Sequence, residues 1–234
     1  MCNKKKAAMM LLVALSLTAG LWAQRPHGGM GGMFGSMPTL PGLSNPTVGS
    51  GSEYQMTSKG KDMDLSVVAL GKEDVDGSTG FWMETRMTSD ELGGEMVMKS
   101  LTVVNATESG VKRMIIQQPG KPPMEMDGMM MSMMQPHQTQ SSRPSGVGAN
   151  GNHGQLVGTE SVTVPAGTFT CQHYRDQGPH GTTDVWISTD VTPYAFVKMV
   201  GPDTTMVLKK VLSNETSHIH GEPQKMQMPQ MPHY

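Results

Sequence analysis

The chain predicts a mainly β protein: a curved antiparallel sheet, half-barrel-like, with one or two short helices and flexible N- and C-terminal tails. Three observations carry this. Apolar and polar residues alternate with period two in "EMVMKSLTVVN" from Glu95, "VKRMIIQQ" from Val111 and "TMVLKKVL" from Thr205, the pattern of half-buried strands. Turn punctuation falls between such stretches at Asp76-Gly77, Gly93-Gly94, Ser109-Gly110, Pro119-Gly120, Ala166-Gly167 and Gly201-Pro202, at the spacing of antiparallel hairpins. No long amphipathic helical window separates the strands, which argues against parallel βαβ units.

Residues 1–23 read as a signal peptide. Lys4, Lys5 and Lys6 precede an apolar run from Ala7 to Ala19 broken only by Ser16, and Gly20-Leu-Trp-Ala23 supplies the small-residue exit. The run is too short to span a bilayer, which takes about 20 residues, and nothing downstream approaches that length, so no transmembrane segment is expected. The expected address is the periplasm or the bacterial cell exterior. Cys2 leaves with the signal and Cys171 remains alone, so no intramolecular disulfide is expected. Cys171 reads as a small buried hydrophobe within a strand.

Residues 24–52 are rich in glycine, proline and serine and lack an apolar period, so they are expected to form a disordered leader. A single β-rich domain is expected over 53–223, with a flexible loop at 135–154 inside it, and a Met/Pro-rich disordered tail at 224–234. Within the domain, "GSTGFWMET" from Gly77 and "GTTDVWIST" from Gly181 echo one another and put Trp82 and Trp186 in matching places. Met129 to Gln135 is the one stretch where a helix is expected: methionine has good helix propensity, Asp127 can cap the start, and Pro136 stops it.

Several function classes lose support. The formal charge of −2 becomes −5 once the three lysines leave with the signal, so nucleic acid and anionic membrane surfaces are poor partners. Gly146-Val-Gly148-Ala-Asn-Gly151 matches the dinucleotide-binding glycine spacing but lies in low-complexity sequence without the flanking strand and helix. There is no GxSxG, HExxH, CxxC or phosphate-binding glycine-lysine loop, and no catalytic residues, cofactor or dedicated metal site are expected. His218-Ile-His220 offers two imidazoles where a structural zinc site usually wants four ligands, and reads as solvent-facing.

Methionine is the compositional anomaly, 25 of 234 residues, while aromatics reach only 5%. Methionine must therefore fill part of the core. Its densest run, "MEMDGMMMSMMQPH" from Met124, leaves two readings open. Thioethers are soft ligands that suit Cu(I), with Met30 and Met33 in the leader and Met226, Met228, Met231 and His233 in the tail as further candidates. Methionine also runs through the strands at Met56, Met63, Met83, Met87, Met96, Met98, Met114 and Met206, where packing explains it.

"GTESVTVPAGTFTCQHYR" (Gly158 to Arg175), "DVWISTDVTPYAFVKM" (Asp184 to Met199) and "MVLKKVLSNETSHIHGEP" together resemble a family of bacterial exported proteins of unknown function, and "VDGSTGFWMETRM" and "RMIIQQPGKPPMEM" are similar to its N-terminal half. The resemblance spans about Glu53 to Pro223 and is most specific at Val-Pro-Ala-Gly-Thr-Phe. It implies a distant similarity to periplasmic lipoprotein-carrier (LolA-like) folds, in which a curved antiparallel sheet wraps an apolar cavity closed by short helices. On that footing the expected function is non-enzymatic binding of a hydrophobic ligand, a lipid or acyl chain. Met129, Met130, Met133 and Met134 would form a lid over it, with Trp82 and Trp186 at the cavity. The rival expectations are a Cu(I)-binding periplasmic protein using the Met/His-rich segments, and an envelope scaffold that binds another envelope protein.

Overall fold

Period-two alternation needs partners on both sides of each strand, and the fold supplies them in one continuous sheet. A computed structural model describes residues 46–104, 109–128, 154–178 and 181–226. In chain order these form β1 (Gly51–Ser58), β2 (Lys61–Val75), β3 (Ser78–Ser89), β4 (Gly94–Val104), β5 (Ser109–Gln117), β6 (Met124–Asp127), β7 (Gln155–Val164), β8 (Gly167–Gly178), β9 (Gly181–Ile187), β10 (Phe196–Val200), β11 (Thr204–Leu212) and β12 (Gln224–Lys225). The sheet is open, curved and mostly antiparallel, as the alternation predicts. Among the described residues the helical content is the 3-10 turn Asp90–Leu92 and Gly128, a helical residue at the end of the described stretch. The helix expected over Met129 to Gln135 lies outside them.

The strand order is β12-β6-β5-β4-β3-β2-β1-β11-β10-β9-β8-β7. Two meanders, β1 to β6 and β7 to β11, are joined through the antiparallel pair of β1 with β11. Short connections explain the neighbours within each meander. The turns do much of the work: Lys59-Gly60 and Asp76-Gly77 are two-residue loops with both φ values positive, at 50° and 76°, and 53° and 77°. This is the primed-turn signature that matches the right-handed twist of the strands it joins. Gly93-Gly94, Pro119-Gly120, Ala166-Gly167 and Gly201-Pro202 also lie at strand ends. Ser109-Gly110 instead opens β5, and the turn before it lies outside the described residues.

The ordered part starts earlier and ends later than composition suggests. Pro46 is fully buried, the Gly49 N–H donates to the Ala69 carbonyl at 2.7 Å, and Glu215 N–H donates to the Gly49 carbonyl at 3.0 Å. Residues 46–50, counted above with the leader, are therefore tied to β2 and to Glu215, and Gly51 and Ser52 open β1. At Gly51 a Cβ would sit 2.5 Å from the Val67 carbonyl, a close approach that only glycine permits. At the other end, β12 pairs in parallel with β6, so the first residues of the assigned tail close the sheet's edge.

The second meander curls round. Ala166 N–H, in the turn between β7 and β8, donates to the Leu208 carbonyl of β11 at 3.4 Å, and Val164, Cys171, Val191, Phe196, Val197 and Leu208 are buried. Tyr54 of β1 reaches the Phe196 carbonyl with its hydroxyl at 3.2 Å, and burial pushes its phenol well above the usual range.

Candidate functional site

Residues directly opposite in an antiparallel pair share a face, so register sorts the side chains. Met199 opposes Met206, Met206 opposes Met56 and Met56 opposes Met63, giving one row of thioethers across four adjacent strands. Leu65 opposes Met87, which opposes Met96. Ala69 opposes Met83, and the same row continues through Ser100 to Met114 and Met126. Methionines scattered along the chain thus meet on one face of the sheet. Most are buried, but Met98, Ile116 and Met124, a row across β4, β5 and β6, stay half-exposed.

The opposite face mixes buried Val68, Val97, Leu101, Val103 and Ile115 with charged groups, and holds both tryptophans. Trp82 donates its indole N–H to Glu73 at 2.8 Å and lies near the Lys99 ammonium and Arg113 guanidinium, 5.2 and 5.1 Å from its ring centre. Trp186 donates to Glu160 at 2.5 Å, stacks on His173 with ring centres 4.4 Å apart and carries the Lys198 ammonium at 5.1 Å. The two environments repeat: in each, a carboxylate takes the indole N–H and a lysine cation meets the ring. The fold does not bring the pair together, since five strand-to-strand steps separate β3 from β9, about 24 Å along the sheet. Both turn away from the methionine face. Met129, Met130, Met133 and Met134 lie outside the described residues.

Across this same face of β3 to β5 runs a strap, residues 213–223, at what the sequence marks as the domain's end. Glu84 anchors it: its fully buried carboxylate accepts from Ser217 Oγ at 2.6 Å and from His218 N–H at 2.9 Å. Buried Arg86 donates to Glu215 at 2.9 Å and sits 2.6 Å from His218 Nε2. A guanidinium can only donate, so Nε2 accepts and Nδ1 donates to Glu95 at 2.9 Å. Gln117 ties down His220 through its backbone N–H and carbonyl, at 2.8 and 3.0 Å. His218 is thus held in a network with its side chain 40% exposed, while His220 is exposed as expected. Nothing local marks Glu84 and Arg86 in "WMETRM": charged residues alternating with methionine look like a solvent face until a distant segment covers them.

Two of the clefts on the described residues lie beside these groups. One, about 330 Å³, lies beside the strap and is lined by Glu53, Ser66, Arg86, Glu95, Lys210 and His218. The other, about 490 Å³, is lined by Asp62, Met63, Asp64, Thr88, Asp90 and Gly94 among others.

One acid/base arrangement forms that spacing could not foretell. His173 sits between Glu160, 3.1 Å from Nδ1, and Asp184, 2.6 Å from Nε2. A carboxylate on each ring nitrogen leaves neither free to take a proton from a substrate. Burial pushes the Asp184 carboxyl up, but hydrogen bonds from Arg175 and His173 outweigh it and hold the group below its usual range. Cys171, fully buried on the same strand, has its thiol pushed up by burial and by the Glu160 and Asp190 carboxylates, the opposite of an activated nucleophile. Among the described residues no group of three or more His, Cys, Asp or Glu side chains is placed to hold a metal ion, and no helix is long and apolar enough to cross a membrane.

No family model matches the chain, and no curated protein matches it. Among solved structures, the chain is similar to a protein assigned as a lipoprotein from Parabacteroides distasonis, at 12% identity and a TM-score of 0.35, over 74% of this chain and 97% of that one. It is also similar to a protein assigned as exported, with a YmcC-like fold, from Bacteroides fragilis, at 12% identity and a TM-score of 0.33, over 72% of this chain and 98% of that one.

Proposed function

We propose that this chain is an exported, non-enzymatic domain that holds a hydrophobic ligand, a lipid or acyl chain, against the methionine face of its curved sheet. The observation that carries the reading is the register, which gathers methionines from strands far apart in sequence onto one face. Thioethers are flexible and polarizable, so such a face adapts to an irregular apolar guest better than a branched aliphatic one. The half-exposed row of Met98, Ile116 and Met124 is where a guest meets it. Met129, Met130, Met133 and Met134 follow β6 directly in sequence and are the lid of this reading, and the resemblance to lipoprotein carriers supplies the class of guest. The charged start and short apolar run at the N-terminus supply the export.

Native mass spectrometry of the mature protein, purified gently from a bacterial periplasm, tests this. A lipid-sized added mass that disappears in Met98→Asp, with the fold intact by circular dichroism, is the expected result. A bare protein under the same conditions counts against the reading and favours the envelope-scaffold alternative.

A further inference from the structure

The row Met199, Met206, Met56, Met63 is unusual in its composition for a sheet interior. Sheet interiors favour β-branched and aromatic residues, yet four adjacent strands, β10, β11, β1 and β2, each place an unbranched thioether at the same level of the same face. Neighbouring strands are about 4.8 Å apart. Met206 and Met63 therefore flank Met56 closely enough for three long side chains to lean their sulfurs onto one ion. The row is graded in exposure. Met206 is 1% exposed, Met199 5% and Met56 8%, while Met63 is half-buried.

We propose that Met56, Met63 and Met206 form a binding site for a soft monovalent cation, Cu(I), reached from the half-exposed Met63 end of the row. Thioethers are selective for such an ion, and the row has no carboxylate, imidazole or hydroxyl to attract Mg²⁺, Ca²⁺ or Zn²⁺ in its place. The site is distinct from the Met/His segments at the chain ends, which sequence spacing alone suggests as copper ligands. It shares the methionine face with the apolar-ligand reading but uses different strands, since that reading's half-exposed positions lie on β4 to β6.

Anaerobic titration of the full mature chain with Cu(I), against a chromophoric competing chelator, tests the proposal. The double variant Met56→Leu/Met206→Leu removes the sulfurs at nearly constant volume, a change that cores tolerate. The triple variant Met226→Leu/Met228→Leu/Met231→Leu is its counterpart in the tail. Wild type and tail variant are expected to hold a single Cu(I) with sulfur-only scattering at the copper absorption edge, and the core variant to lose it. Should the core variant melt early, Met63→Leu at the half-exposed end gives the same comparison. Full binding by the folded core variant, loss in the tail variant, or a wild type that binds no Cu(I) would each overturn the site. A lipid-sized mass without copper overturns this proposal and leaves the carrier reading standing, and copper without lipid does the reverse.

Discussion

Removing the Glu84 carboxylate should release the strap. Glu84 is fully buried, and Glu84→Ala leaves Ser217 Oγ–H and His218 N–H without the acceptors they now reach at 2.6 and 2.9 Å. A hydrogen bond to a charged group contributes about 1.5–3 kcal/mol, so the two together are worth ~3–6 kcal/mol. Part of that is offset because the alanine variant no longer buries a charge. We expect a net loss of about 3 kcal/mol, felt first as local opening of the strap rather than global unfolding, since β12 and the Arg86 and Gln117 contacts hold its two ends. That corresponds to roughly a hundredfold rise in the opening equilibrium, read by hydrogen exchange at the His218 and Ile219 amides. Glu84→Gln keeps one acceptor oxygen and should recover about half of the loss. The reasoning fails if Glu84→Ala leaves strap exchange unchanged and the denaturant midpoint within about 0.5 kcal/mol of wild type.

Phe196 is fully buried where the second meander curls round, so Phe196→Ala should cost about 3–5 kcal/mol and lower the melting temperature by roughly 10 °C; a shift below a few degrees would mean that this region repacks. Burial pushes the Tyr194 phenol up to about 12, above its unfolded value of about 10. Its contribution to stability is therefore complete below about pH 10 and lost as pH rises through about 12. Tyr194→Phe should flatten that alkaline limb in part, since Tyr54 is raised as well, and denaturant titrations from pH 9 upward (~ one unit below the free phenol) check it. Asp184 is held below its usual range, so its contribution is present above the unfolded value of about 3.9 and lost as pH falls through the lower folded value. Asp184→Asn should make the acid limb shallower; identical acid limbs would remove Asp184 from the account.

Sequence alone determined the class of fold and most of its local detail. Period two in "TMVLKKVL" and "EMVMKSLTVVN" became β11 and β4 because a pleated strand puts alternate side chains on opposite faces whatever its partners are. Asp76-Gly77 became a primed turn because only glycine and a few polar residues tolerate positive φ there. Cys171 was readable as a buried strand residue for the same local reason.

What sequence could not decide was pairing at a distance. The β1 to β11 pair, with partners such as Met56 and Met206, joins the two ends of the domain, and it turns methionines that look like separate packing choices into one row. The strap is the same kind of event: Glu84 and Arg86 have the spacing of a solvent face and are buried because residues 213–223 cross over them. Trp82 and Trp186, matched in sequence, are matched in environment too, yet register sends both to the face opposite the methionines, with their indole N–H groups on carboxylates. Local pattern fixes which side chains share a face of a strand. Only the partner across the sheet, and the segment laid over it, decides which face is buried and what meets there.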